Sequence, residues 1–127
     1  MKVVEIRAGG FVMDAELNDS PTAELIWAAL PIEGRANRWG DEIYFSIPVK
    51  TGSEPSASAD VQIGDLGYWP PGNAFCIFFG STPVSDGDQP RAASPVNIFG
   101  KVRGDASRFR AVPDGGKVTI NQAEKNF

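Results

Sequence analysis

One stretch near the start of the chain restricts the fold more than any other. Phe11, Met13, Ala15 and Leu17 alternate with Val12, Asp14 and Glu16. A period of two puts the first set on one face and the second on the opposite face, the pattern of a half-buried β-strand. Val3 to Arg7 reads as its partner strand, and Ala8-Gly9-Gly10 between them can take the positive φ angles of a tight hairpin. Short apolar segments then recur along the chain, each closed by glycine or proline. The 14 glycines and 10 prolines among 127 residues suit a turn-rich β protein and would break a helical bundle.

A single helix interrupts this pattern. Ser20 offers a side-chain cap, Pro21 fits the first helical position, and Ala23, Ile26, Trp27 and Leu30 fall on one apolar face before Pro31 stops the helix. Gly34 to Trp39 and Glu42 to Val49 read as a second strand pair. In the latter, Ile43, Phe45 and Ile47 point one way while Glu42, Tyr44 and Ser46 point the other. Thr51 to Asp60 has no apolar period and reads as a mobile surface loop.

Further on, Val61-Gln62-Ile63 is a short strand and Gly64 to Gly67 a turn into Tyr68-Trp69. Pro70-Pro71-Gly72 is a second break. Ala74 to Phe79 is a continuous apolar run, expected as a central strand buried on both sides. Ser81 to Ser94 reads as a polar loop, Val96 to Val102 as a strand, Ala106 to Ala111 as a short second helical turn, and Lys117 to Ile120 as the last strand. The whole reads as a mostly-β single domain over residues 1–127, a closed barrel of about eight strands with one helix in its N-terminal half, because closure removes exposed strand edges.

Residue types narrow the chemistry. The chain has no histidine, which excludes Ser-His-Asp and Cys-His catalysis and every histidine-containing zinc site. Cys76 is the one cysteine and lies in the apolar run, so it is expected as a buried, inert thiol and no internal disulfide forms. The net charge is -4, and the nearest approach to a basic cluster, Arg103, Arg108 and Arg110, is interrupted by Asp105. No nucleic-acid partner is expected. The segment from Met1 to Glu5 lacks the apolar core of a secretory signal, and no stretch has the length of a membrane span; a cytoplasmic protein with no membrane partner, no metal and no cofactor is the expectation.

Several motifs resemble the cyclophilins. Ser20-Pro21-Thr22-Ala23-Glu24 is similar to the start of their first helix. Gly64-Asp65-Leu66-Gly67-Tyr68, then Phe75 to Phe79, then Ser81-Thr82-Pro83 follow in the cyclophilin order, and Ile98-Phe99-Gly100-Lys101-Val102 is similar to their Val-Phe-Gly-Lys-Val strand. The small stand-alone cyclophilin-like proteins of bacteria and archaea are more similar still, through Trp39 to Phe45, Gly64 to Ala74 and Pro95 to Lys101. The resemblance implies a cyclophilin-like barrel over nearly the full length. In cyclophilins an arginine over the twisting X-Pro peptide, beside aromatic and amide groups, stabilises the rotated state. Here Phe45 falls where that arginine is expected, Val96 falls where a histidine precedes the Val-Phe-Gly-Lys motif, and the loop from Ser81 to Ser94 holds no tryptophan.

The expected ligand-binding residues are Arg38, Trp39, Glu42, Tyr44, Tyr68, Trp69, Asn73 and Phe78. Aromatic walls with a few polar groups suit a small molecule or a short peptide. The same aromatic residues would equally serve as plugs at the barrel ends, and Asp65 as a turn former. Asp41, Glu42 and Asp65 meeting in space would form a hard-cation site, which nothing in their spacing requires. Three readings follow: a binding module, a proline isomerase, or a subunit whose aromatic patch contacts a partner protein.

Overall fold

The computed structural model describes residues 2–123; Met1 and residues 124–127 of the expected domain lie outside the described residues. The hairpin forms as expected. β1 (Val3–Ala8) and β2 (Phe11–Leu17) pair antiparallel with Ala8 opposite Phe11, and Gly9 and Gly10 take φ of 55° and 81° between them. The helix α1 spans Pro21–Ala29, and the Ser20 hydroxyl accepts from the Ala23 N–H at 3.2 Å. Ala23 and Ile26 are fully buried, with Trp27 and Leu30 packed half-buried against the same core. The Leu30–Pro31 peptide that ends the helix is cis.

Eight strands follow: β3 (Ile32–Arg35), β4 (Asn37–Arg38), β5 (Glu42–Ser46), β6 (Ser58–Asp60), β7 (Asp65–Trp69), β8 (Ala74–Phe78), β9 (Arg91–Val102) and β10 (Lys117–Gln122). They make one ten-stranded sheet in the order β3-β10-β1-β2-β9-β7-β8-β5-β4, with β6 on β9. Short 3₁₀ helices lie at Pro70–Gly72 and Ala106–Ala111, the latter where a helical turn was expected. No helix among the described residues is long and apolar enough to cross a membrane.

Three expectations need correction. The barrel is not closed by hydrogen bonds, and its strands number ten rather than about eight. The two ends of the path, β3 and β4, are consecutive in the chain with Ala36 alone between them. The first half of that segment pairs with β10 and the second with β5, so no residue in it carries ladders on both sides. Second, the strand expected at Val61-Gln62-Ile63 lies instead at Ser58–Asp60, and the turn expected at Gly64 to Gly67 is mostly strand β7, buried from Asp65 to Tyr68. Third, the expected mobile loop at Thr51 to Asp60 is tied down. The buried Asn97 side chain donates to the Gly52 carbonyl at 2.9 Å and accepts from the Glu54 N–H at 2.8 Å.

β8 shows why a continuous apolar run appears. Phe75, Ile77 and Phe79 enter the main core, where Phe75 stacks on Phe45 with ring centroids 5.2 Å apart and meets Phe99 edge-on at 5.0 Å. Ala74, Cys76 and Phe78 belong to a second, smaller cluster with Val61, Ala92 and Val96 on the opposite face of the sheet. Gly67 permits that second cluster. A Cβ there would lie 2.7 Å from Val96 Cγ2 and 3.2 Å from the Phe78 ring, so only a bare backbone lets β9 fold its Val96 onto β8. Gly67→Ala is expected to destabilise the fold by about 1–3 kcal/mol through overpacking. Urea denaturation followed by tryptophan emission checks this, and an unchanged midpoint would contradict the close approach.

Candidate functional site

The second cluster carries the site. Its outer surface opens into a cavity of about 210 Å³. Trp39, Tyr44 and Trp69, all half-buried, form the walls; Cys76 and Val96 form the floor; Ala92 and Ala93 complete the side from β9; and Glu42 reaches in from β5. The volume exceeds the ~150 Å³ that holds a benzene ring and falls below the ~300 Å³ at which drug-sized sites begin.

Local structure sets each wall. Trp39, Gly40, Asp41 and Glu42 form the turn between β4 and β5, closed by the Trp39 N–H donating to the Glu42 carbonyl at 3.0 Å, with Gly40 at φ 62°. The turn is fixed from behind, because Asp41 N–H donates to the Ser81 carbonyl at 2.8 Å and Phe79 N–H to the Asp41 carbonyl at 2.9 Å. Two motifs far apart in sequence therefore meet at this corner. Trp69 ends β7, and its indole N–H donates to Ser94 Oγ at 2.7 Å, which ties this wall to β9. Tyr44 sits opposite Cys76 in the β5–β8 register, two pairs from Glu42 opposite Phe78 and on the same face of the sheet.

Glu42 is the unusual group. It is 5% exposed, and the buried Cys76 thiol lies diagonally across the strands from it. Among the described residues no lysine or arginine is within ion-pair distance of it: Arg38 and Arg110 turn to Asp41, and Arg91 to Asp60 and Asp86. Burial pushes the Glu42 carboxyl up from 4.5 to about 7, partly offset by the neighbouring Cys76 thiol. Burial, then the adjacent carboxylate, raise the thiol well above its usual range, so Cys76 is a protonated, unreactive group, in keeping with its expected inertness.

Of the residues singled out in the sequence, Trp39, Glu42, Tyr44 and Trp69 converge on this cavity. The others do not line it. Arg38 lies over the Phe79 ring at 5.3 Å, but its guanidinium donates to the carbonyls of Gly40, Arg110 and Val112, holding the second 3₁₀ turn to the sheet. Tyr68 is fully buried, its hydroxyl donating to the Val49 carbonyl at 2.7 Å and lying 3.1 Å from Asn73 Oδ1. Asn73 takes the left-handed conformation, φ 47°, that ends the Pro70–Gly72 turn. Phe78 is fully buried in the second cluster.

Cys76, Ala92, Ala93 and Val96 were not expected at a site; only the alternation Ala74, Cys76, Phe78 within the apolar run hinted at a second face. Asp41, Glu42 and Asp65 do not assemble into a cation site: Asp65 accepts from the Gln62 N–H at 2.8 Å as a turn former, and no group of three such ligands occurs among the described residues. The arginines near the C-terminus disperse, Arg103 to Glu16, Arg108 over Phe11 and Arg110 to Asp41. A larger hollow of about 750 Å³ beside Asp60, Asp86 and Asp88 has no aromatic wall, and Arg91 pairs two of its carboxylates.

A strongly curled antiparallel sheet, one capped helix on the core and a pocket on the outer face of β5 and β8 together describe a cyclophilin-like architecture. The cyclophilin-like family model matches residues 2–121. The solution structure of a hypothetical protein from Archaeoglobus fulgidus is 39% identical, with a TM-score of 0.79 over 96% of this chain and 95% of that one. The chain belongs to the cyclophilin-like family. McbB, solved in complex with tryptophan, superposes with a TM-score of 0.74 at 16% identity over 98% of this chain and 46% of its own, a likeness of fold alone. No curated protein matches.

Proposed function

We propose that this cyclophilin-like domain is a binding module that takes a small, largely apolar ligand, about the size of one ring, in the cavity between Trp39, Tyr44 and Trp69. The observation that carries this reading is the convergence of three aromatic walls, two from the β4–β5 hairpin and one from the end of β7, on one cavity with a single ionisable carboxyl inside it. Aromatic surface with few polar groups is the composition of small-ligand sites. Arg38 supports binding over peptide rotation, since its donors are engaged by backbone carbonyls and it stands outside the cavity.

The test uses indole and phenol as neutral ring probes, followed through the Trp39 and Trp69 indole N–H resonances. Both resonances are expected to shift on titration. Ala93→Trp, at an exposed position on the side of the cavity, is expected to weaken binding roughly tenfold or more by filling the space, with little change in stability. Unmoved resonances, or equal affinity in Ala93→Trp, would refute the pocket. A stable self-association with no probe response would favour the partner-contact reading instead.

A further inference from the structure

Glu42 has a feature that the pocket reading leaves unexplained. A carboxylate on an inward strand position is rare unless something pairs with it, because desolvation of a lone charge is costly. Here the strand places it beside the second cluster at 5% exposure, with the Cys76 thiol next to it, and among the described residues no lysine or arginine pairs with it. None of the other residues around the cavity carries a charge: three are aromatic, three are Ala or Val, and one is the buried cysteine. An anionic ligand, including a free amino acid carboxylate held at this end, would face Glu42 with no compensating positive charge among the lining residues.

Resting on the pocket reading above, we infer that the ligand carries an ammonium group, a small amine whose charge pairs with Glu42 and whose ring-sized apolar body lies among Trp39, Tyr44 and Trp69. The pairing supplies the missing counter-ion, and the buried carboxyl gains a charge-assisted hydrogen bond. Aromatic side chains grouped about a carboxylate are also the setting in which cations are held through the negative faces of rings. Burial holds the Glu42 proton until the ligand arrives, so the empty pocket does not carry a bare charge at mildly acidic pH. The same ammonium chemistry is available from a free amine or from a lysine side chain of a peptide.

The experiment compares 2-phenylethylamine with its neutral isostere 2-phenylethanol by calorimetry at pH 8, on the wild-type chain and on Glu42→Gln. The amine is expected to bind the wild type roughly tenfold or more tighter than the alcohol, and Glu42→Gln to bring the two to near-equal affinity while the alcohol still binds. Nα-acetyl-lysine N-methylamide against its norleucine counterpart forms the second arm. A Glu42-dependent preference there but not with the phenylethyl pair assigns the ammonium to a peptide side chain. Equal affinities in both arms, or a preference that survives in Glu42→Gln, would overturn the inference. If the alcohol still shifts the Trp69 indole resonance in that case, the pocket reading survives; if neither compound does, both fail.

Discussion

Glu42→Gln is expected to make the protein more stable at pH 8 by about 3 kcal/mol and to leave it nearly unchanged at pH 4. The carboxyl titrates near 4.5 when the chain is unfolded and near 7 in the folded protein. Between those values the folded state keeps a proton that the unfolded state has released. Stability therefore falls as pH rises through the window from 4.5 to about 7 and levels off above it. A glutamine cannot ionise, so the variant lacks this loss. Urea denaturation of both proteins at several pH values measures it: the difference between them should grow across the window and then flatten. A constant difference, or one that grows on acidification, would show that Glu42 is solvated or paired. Under the amine reading, 2-phenylethylamine should recover much of the wild-type loss at pH 8, because it binds the ionised folded form and adds stability by mass action.

Asn97→Ala is expected to cost roughly 3 kcal/mol and to expose the segment around residues 50–57 to protease. Asn97 is 1% exposed and joins three segments. Its Nδ2 donates to Thr22 Oγ1 at 3.0 Å and to the Gly52 carbonyl, while its Oδ1 accepts from the Glu54 N–H. The network continues as Glu54 accepts from the Thr22 hydroxyl and, at 3.0 Å, from the Thr22 N–H at the start of the helix, where a negative charge is also favoured by the helix dipole. Removing the amide leaves buried partners unsatisfied, which costs more than the lost bonds alone. Because Thr22 belongs to the same network, Thr22→Val combined with Asn97→Ala should cost less than the sum of the two single changes. Full additivity, or an unchanged cleavage pattern, would mean that the segment is held by other contacts.

This network shows what a sequence reading misses. Residues 51–60 have no apolar period, and a segment held by hydrogen bonds and one short strand leaves no hydrophobic signature. Thr22 stood out as part of a helix-start motif, yet its side chain serves the far end of the network. The turn expected at Gly64 to Gly67 failed for a related reason. Glycines punctuate turns, but Gly67 lies inside β7 because Val96 needs the space, and that demand comes from a strand some thirty residues later.

The sequence by itself determined sidedness and local structure. Alternation set the faces of β2 and β5, Ser20 and Pro21 set the helix start, Gly9-Gly10 set the first hairpin, and the motifs at Gly64 to Ala74 and Pro95 to Lys101 carried the family. These features are local, and local sterics and polarity are enough to write them. Only the tertiary structure decided which aromatic residues share a pocket. Trp39 and Trp69 meet Tyr44 and Glu42, while Arg38, Tyr68, Asn73 and Phe78 go elsewhere, because the registers of β5 and β7 on β8, that of β9 on β7, and the bare backbone at Gly67 bring distant segments together. A strand buried on two sides shows no alternation, so its sequence cannot say which face is core and which is the floor of a site. The charge of Glu42 changed meaning in the same way: in the sequence it lies on the polar face of an amphipathic strand, and the fold covers that face and leaves the carboxyl with no cationic partner among the described residues.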